Sequence, residues 1–209
     1  MPSFLLERRH DGQVAGIDEA GRGPLAGPVV AACVYIPEKF PALKKVKDSK
    51  KLDGLTREAL FTEITRHCAW GIAIADVGEI DNINILQATF LAMNRAVDAM
   101  SLAFNVEPCM YLVDGNQRPK GMESYNVTTV VEGDDKSYSI ACASILAKVT
   151  RDRVMRELHE AHPQYGWHHN MGYGTPDHMA ALNEHGPCAH HRASFAPVRD
   201  RLPAPLKHR

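Results

Sequence analysis

The sequence has no run of about 18 consecutive apolar residues, which excludes an ordinary membrane-spanning helix. Its first residues, Met1 to His10, lack the apolar stretch of a secretory signal. Cysteine is sparse and odd in number: Cys33, Cys68, Cys109, Cys142 and Cys188 show no C-x-x-C spacing. That argues against a disulfide framework or a cysteine zinc site, and for free thiols in a reducing cytoplasm. Net charge is also lacking, with 24 Lys and Arg against 25 Asp and Glu. A basic excess, the usual mark of a nucleic-acid binder, is therefore missing from the total. Internal repeats, low-complexity stretches and a linker that would split the chain are absent as well. The 209 residues read as one globular domain, with a monomer as the default.

What is present is local. Lys44, Lys45, Lys47, Lys50 and Lys51 crowd one short stretch, and Lys148, Arg151, Arg153 and Arg156 another. Taken alone, each cluster reads as a solvated face. The most informative segment runs from Val14 to Val29, where an apolar strand meets Asp18-Glu19 and then a turn containing Gly21, Arg22, Gly23 and Gly27. Adjacent acids repel, so both are costly at a strand end unless a cation binds there. An all-oxygen donor set favours a hard ion, Mg²⁺ or Mn²⁺. The glycines and Arg22 suggest a phosphate partner.

Pattern and propensity predict strands at 14–18, 28–36, 70–77, 109–113 and 125–131. They predict helices at about 56–68, 80–100 (with Asp81 as cap), 137–159 and 176–184. A hairpin turn at 21–28 joins the first two strands. This order suggests a mixed sheet covered by helices. Asp18 and Glu19 follow the first strand, Asp114 the fourth, and Asp134 precedes the long helix. Singly, Asp114-Gly115 reads as a turn and Asp134-Asp135 as a cap. Together, acids at one sheet edge can hold two hard cations for in-line phosphate displacement. The glycine turn does not open a helix and no G-K-[ST] follows, so neither a dinucleotide fingerprint nor a P-loop fits. Eight of eleven histidines fall between His159 and His191, without convincing zinc-ligand spacing; most read as surface or phosphate-adjacent.

The segment D-E-A-G-R-G-P-L-A-G-P-V at 18–29 resembles the signature of prokaryotic ribonuclease HII. The resemblance continues through Asp48-Ser49-Lys50-Lys51-Leu52, Val113-Asp114-Gly115-Asn116 and Gly133-Asp134. Further blocks run from Ala143 to Asp152, from Gly172 to His178 and from His191 to Phe195, so that about residues 13–198 are covered. The resemblance implies a ribonuclease H-like α/β fold: a five-stranded mixed sheet flanked by helices (about 13–160), with a small helical C-terminal extension (about 161–209). It implies an endonuclease that cuts RNA in RNA–DNA hybrids and cuts 5′ to ribonucleotides embedded in duplex DNA, leaving 3′-hydroxyl and 5′-phosphate ends. By motif, Asp18, Glu19, Asp114 and Asp134 are the catalytic acids and hold Mn²⁺ or Mg²⁺. Gly21, Arg22 and Gly23 match the reader of the ribose 2′-hydroxyl, and Tyr173 matches a tyrosine at the same junction.

Ser49 and Lys50 match a phosphate contact, against the plainer reading of a flexible loop. Lys148 lies four residues from both Ser144 and Asp152; it either faces the substrate beside Ser144 or pairs with Asp152. His178 and His191 match family positions that serve packing or the surroundings of the site. Two departures stand out: Met171 where the family often has lysine, and Ala193 where it often has arginine. The tail at 202–209 is basic and proline-rich and shows no sliding-clamp peptide. A hybrid-binding protein without catalysis is the alternative reading; a small-molecule phosphatase comes last.

Overall fold

The computed structural model describes residues 1–202, so the tail that bears on a sliding-clamp peptide lies almost wholly outside the described residues. Five strands form one mixed sheet: β1 Val14–Ala20, β2 Val29–Tyr35, β3 Ala69–Ala75, β4 Met110–Asp114 and β5 Val127–Val130. Their spatial order is β3-β2-β1-β4-β5. β2 is antiparallel to both β1 and β3, while β4 is parallel to β1, and β5 to β4. The helices are α1 Gly54–His67, α2 Val77–Phe104, α3 Tyr138–Ala161, α4 Trp167–Asn170, α5 Pro176–His185 and α6 Ala196–Arg199. No described helix is long and apolar enough to cross a membrane.

Strand alternation divides the core into two layers. Ala15, Ile17, Ala31, Cys33, Tyr111 and Val113 pack with Ile80, Met93, Val97 and Met100 of α2. Ala32 and Val34 face the other way, toward Leu60 and Ile64 of α1 and Ala143, Leu146 and Ala147 of α3. Gly16 explains how closely α3 approaches β1: a Cβ there would stand 2.2 Å from the backbone nitrogen of Ile140. Any side chain at 16 would push α3 off the sheet. A third cluster joins Leu25 and Ala26 of the β1–β2 turn to Met155, Tyr165, Trp167, Leu182 and Val198. The C-terminal helices therefore pack on the turn as well as on α3.

The boundaries differ from expectation chiefly at α2. Its cap is Asp76 rather than Asp81. The Asp76 side chain accepts from Glu79 N (2.8 Å), and the Glu79 side chain accepts from Asp76 N (3.0 Å), a reciprocal capping box. Asp81 instead accepts from the backbone N–H groups of Ala193 and Ser194, each at 2.9 Å, and ties the C-terminal segment to α2. Within α2, Asn84 is left-handed (φ 66°), and its side chain accepts from Leu86 N and Gln87 N to restart the helix. The second basic cluster is also not one solvated face. Arg153 and Arg156 are exposed and pair with Glu58, whereas Arg151 is 1% exposed.

Candidate active site

The parallel pairing of β1 with β4 places Ile17 opposite Val113. Both point into the α2 layer, so the next residues, Asp18 and Asp114, come side by side on the α3 face at the same sheet edge. Asp18 is 5% exposed. Its Oδ1 accepts the Glu19 N–H at 2.7 Å. Asp114 Oδ1 accepts the N–H of Gly133 at 2.6 Å, which fixes the turn carrying Asp134. Asp134 itself is buried in the 3-10 turn Gly133–Asp135 that leads into α3. Glu19 turns to the other side of β1, where it meets Arg22 at 3.5 Å and shares a small hollow with Asp114 and Asn116.

Electrostatics mark this edge. Burial, and then repulsion from Glu19 and Asp114, push the Asp18 carboxyl well above its usual range; the Glu19 N–H and the Ser144 hydroxyl oppose them. Burial raises Glu19 too, against the pull of Arg22. Asp134 is pushed up to about 6 by burial, then by Asp48 and Asp114. At Lys50, burial works against the charge, but Asp134, Asp18, Asp48 and Asp114 outweigh it and raise the ammonium. The acids thus share one field. Among the described residues, however, no three acid, imidazole or thiol side chains stand close enough to enclose an ion as they are.

Beside the acids lies a cleft of about 450 Å³. Asp18 and Glu19 form one side of it, Gly21, Arg22 and Gly23 another, and Ser49, Lys50, Ser144, Lys148 and Tyr173 complete its walls. Ten of the twelve residues singled out in the sequence line this one space; Asp114 and Asp134 do not line it, but both act electrostatically on its Lys50. A roomier hollow of about 590 Å³ under the N-terminal arm is lined by Phe4, Phe40, Leu43 and Tyr138 and carries no acid. Chemistry, rather than volume, separates the two.

The cleft walls are held by specific bonds. Ser49 Oγ and Ser144 Oγ share a hydrogen bond of 2.8 Å, which ties the lysine-rich turn to α3. Lys148 lines the cleft, and its Nζ donates to Asp152 at 2.6 Å, so the pairing expected from its spacing forms. Tyr173 is 47% exposed at the mouth. Beneath it, His178 Nδ1 meets the Tyr173 carbonyl at 2.9 Å, and His178 Nε2 meets Trp167 Nε1 and His191 Nε2, each at 3.1 Å. The Cys188 N–H donates to His191 Nδ1 at 3.0 Å. The donor and acceptor roles fit His191 protonated on Nε2 and His178 on Nδ1, with the one lone pair of His178 Nε2 shared between the Trp167 and His191 N–H groups. Both histidines are buried, which agrees with the packing role expected of them. Met171 caps α4 with a left-handed backbone (φ 49°), and its side chain packs in the third cluster.

Two contributors went unrecognised in the sequence. Asp48 sits inside the D-S-K block, yet only the fold shows it beside Asp134 and Lys50, and its side chain accepts from Lys50 N at 2.9 Å. Arg57 donates to the carbonyls of Ser49 (3.0 Å) and Leu52 (2.5 Å) and so braces the same turn; nothing in an amphipathic helix marks such an arginine.

Comparison with known proteins agrees with this arrangement. Residues 15–198 match the family described as ribonuclease HII. A ribonuclease HII of Wolbachia pipientis from Culex pipiens is 49% identical over 198 residues, covering 95% of this chain and 98% of that protein. One from Burkholderia pseudomallei is 54% identical over 188 residues, covering 90% and 85%. Among solved structures, the ribonuclease HII of Archaeoglobus fulgidus in its complex with PCNA superposes with a TM-score of 0.73 at 27% identity, over 92% of this chain and 98% of that one. Ribonuclease H2 of Pyrococcus horikoshii gives 0.71 at 27% identity, over 90% and 96%. A sheet with its acids at one edge, a glycine turn across the cleft and a match that runs almost end to end lead to one assignment: the chain belongs to the ribonuclease HII family and is a metal-dependent endoribonuclease.

Proposed function

We propose that this enzyme hydrolyses the RNA strand of RNA–DNA hybrids and cuts 5′ to single ribonucleotides embedded in duplex DNA. The observation that carries the reading is the shared cleft: Asp18 and Glu19 form one wall, and the Gly21–Gly23 turn, with the Tyr173 ring beside Gly23, forms another. A cutter that distinguishes RNA from DNA needs a partner for the 2′-hydroxyl next to its hydrolytic groups. Here one hairpin supplies both.

The donor set fits divalent ions. Asp18, Glu19, Asp114 and Asp134 offer only oxygens, and burial with mutual repulsion raises Asp18 and Asp134, so a cation there relieves a standing cost. These four acids would hold Mg²⁺ or Mn²⁺, two ions in the working enzyme. Bound divalent ions supply Lewis acidity, which lowers the pKa of water and neutralises charge on the departing 3′-oxygen. Lys50, whose ammonium is kept charged by the surrounding acids, holds a backbone phosphate together with Ser49. Ser144 keeps Ser49 in place. Lys148 adds positive charge from α3, its side chain steadied by Asp152. The turn of Gly21, Arg22 and Gly23 reads the sugar edge, and the exposed Tyr173 ring packs against the nucleotide at the junction.

A DNA duplex with one embedded ribonucleotide, incubated with Mg²⁺ or Mn²⁺, tests this reading. Cleavage 5′ to the ribonucleotide is expected, with 3′-hydroxyl and 5′-phosphate ends, and it should vanish in EDTA. A folded protein that leaves the duplex intact with either ion would overturn the proposal.

A further inference from the structure

The Gly21–Pro28 turn lies over two buried cations. Arg192 is fully buried and Arg151 is 1% exposed. Arg192 donates from Nε to Gly27 O (2.9 Å), from Nη1 to Arg22 O (2.9 Å), and from Nη2 to Gly21 O (2.6 Å) and Pro28 O (3.2 Å). Arg151 donates from Nε to Pro28 O (3.1 Å), from Nη2 to Ala26 O (3.1 Å), and from Nη1 to Met171 O (3.0 Å). Every acceptor is a backbone carbonyl. Neither guanidinium takes part in an ion pair among the described residues; Asp152, one residue from Arg151, is engaged by Lys148 and Arg57. Burying two charges this way is expensive unless dipoles are aimed at them. Five carbonyls of one short turn are so aimed.

The orientation of those carbonyls dictates the opposite face of the turn. A trans peptide is planar, and its C=O and N–H point in opposite directions. With the Gly21 carbonyl held inward, the Arg22 N–H points outward. With the Arg22 carbonyl held inward, the Gly23 N–H does the same. Among the described residues, neither N–H donates to any protein acceptor, whereas those of Leu25 and Gly27 are bonded to Gly172 O (2.8 Å) and His190 O (2.9 Å). The two unengaged N–H groups belong to residues that line the cleft. The conformation admits glycine alone at 21: φ is 102°, and a Cβ would fall 2.1 Å from Arg151 Nε.

We infer that Arg151 and Arg192 are positioning residues for substrate selection: by gathering the carbonyls of residues 21–28 beneath the turn, they aim the Arg22 and Gly23 N–H groups at the sugar-phosphate edge of the substrate. This rests on the proposed reading of the 2′-hydroxyl by the turn. The guanidinium fork is essential because one planar cation must serve up to four carbonyls; a lysine ammonium keeps the charge but not the fan of donors. Arg192 reaches the turn from beyond α5, so the C-terminal segment sets ribonucleotide selectivity without touching substrate.

Arg192→Lys and Arg151→Lys test the inference through two readouts. The first is amide hydrogen exchange of the 21–27 peptide, compared with β1 and β4 in the same protein. The second is the ratio of affinities for a duplex with one ribonucleotide and the same duplex in all-DNA form, measured in EDTA, where nothing is cut. Loss of one charge-assisted bond to the turn should speed local exchange about tenfold and lower the affinity ratio by a similar factor. Exchange in β1 and β4 should stay protected. A purely structural role would weaken binding to both duplexes equally and leave the ratio alone; that result overturns the inference. So does a folded variant with unchanged exchange. If Arg192→Lys fails to fold, Arg151→Lys is read in the same way, and failure of both marks the arginines as general props of the fold and removes the proposal. A wild-type protein with no preference for the ribonucleotide would count against the reading of the 2′-hydroxyl, while the exchange measurement still decides the positioning of the turn.

Discussion

The acid edge and the glycine turn are neighbours in sequence and opposite in electrostatics. At the edge, Asp18 and Asp134 are buried anions whose nearest charged neighbours include other anions. Beneath the turn, Arg151 and Arg192 are buried cations whose neighbours are backbone dipoles turned toward them. The first arrangement is left uncompensated and stores a cost that a bound cation relieves. The second also carries a cost, since burial lowers Arg151 to about 10 and burial with repulsion from Arg151 lowers Arg192 to about 9, but carbonyl dipoles within the chain meet both charges and hold the turn in shape. On the proposed reading, one hairpin joins acids that await a cation to a turn whose shape is set within the chain, which suits a site where ions and substrate come and go but the measuring surface must hold its shape.

The sharpest way to break the comparison is to neutralise the edge. Asp18→Asn should lower cutting by on the order of 10³-fold, because it removes a buried donor from the set that orients the reaction. The same change should raise the thermal midpoint in EDTA, since it removes the carboxylate most penalised by burial and by Glu19 and Asp114. Loss of activity together with a gain in apo stability separates a functional acid from a structural one. A folded variant that still cuts at the wild-type rate would take Asp18 out of the ion-holding set, and a lowered midpoint would show that its charge is compensated after all.

How much of this was legible beforehand follows from the range of each interaction. Asp18 and Asp114 could be picked out because strands and their ends are local features, and parallel register does the rest. Asp76 was missed as the α2 cap because any acid near a helix start carries the same signal, and Asp81 lay nearer the apolar stripe; only the reciprocal bond with Glu79 decides. Arg151 looked like part of a solvated basic face, and Arg192 like one letter of a motif. Their roles depend on contacts with Pro28 and Gly21 across 123 and 171 residues of sequence, which no local pattern encodes. Ser49 and Ser144 were named individually, but their mutual bond, 95 residues apart, needed the fold.

The two regions should also respond oppositely to pH. Asp134 has a folded-state value raised to about 6 from 3.8, so its cost is fully present above pH 6 and is relieved as pH falls toward 4. His191, beside the turn, is lowered to about 4 from 6.5 by burial and then by His178. Its contribution is fully present above pH 6.5 and is lost as pH falls toward 4. Denaturant titrations in EDTA across this range should show Asp134→Asn more stable than wild type at pH 7, by on the order of 1–3 kcal/mol, and level with it near pH 4. Over the same range the advantage of wild type over His191→Gln should shrink, because acid protonates this imidazole in the unfolded chain while the buried one stays neutral. Parallel pH curves for wild type and both variants would mean that neither group is linked to folding.

The smallest effect on the fold belongs to the residue that bridges the regions. Tyr173 is half exposed, and the contacts that hold its segment are backbone ones: its carbonyl is bound by His178, its N–H donates to Asn170 O at 2.9 Å, and Gly172 O accepts from Leu25 N. Tyr173→Ala should therefore leave stability within about 0.5 kcal/mol of wild type. It should still slow cutting at a lone ribonucleotide under subsaturating substrate, by roughly tenfold if the ring stacks on a base or sugar. The slowing should be smaller on a long hybrid, where neighbouring ribonucleotides share the contact with the turn. Equal slowing on both substrates would give the ring a general packing role, and unchanged rates would leave selection of the junction to the Arg22 and Gly23 N–H groups alone.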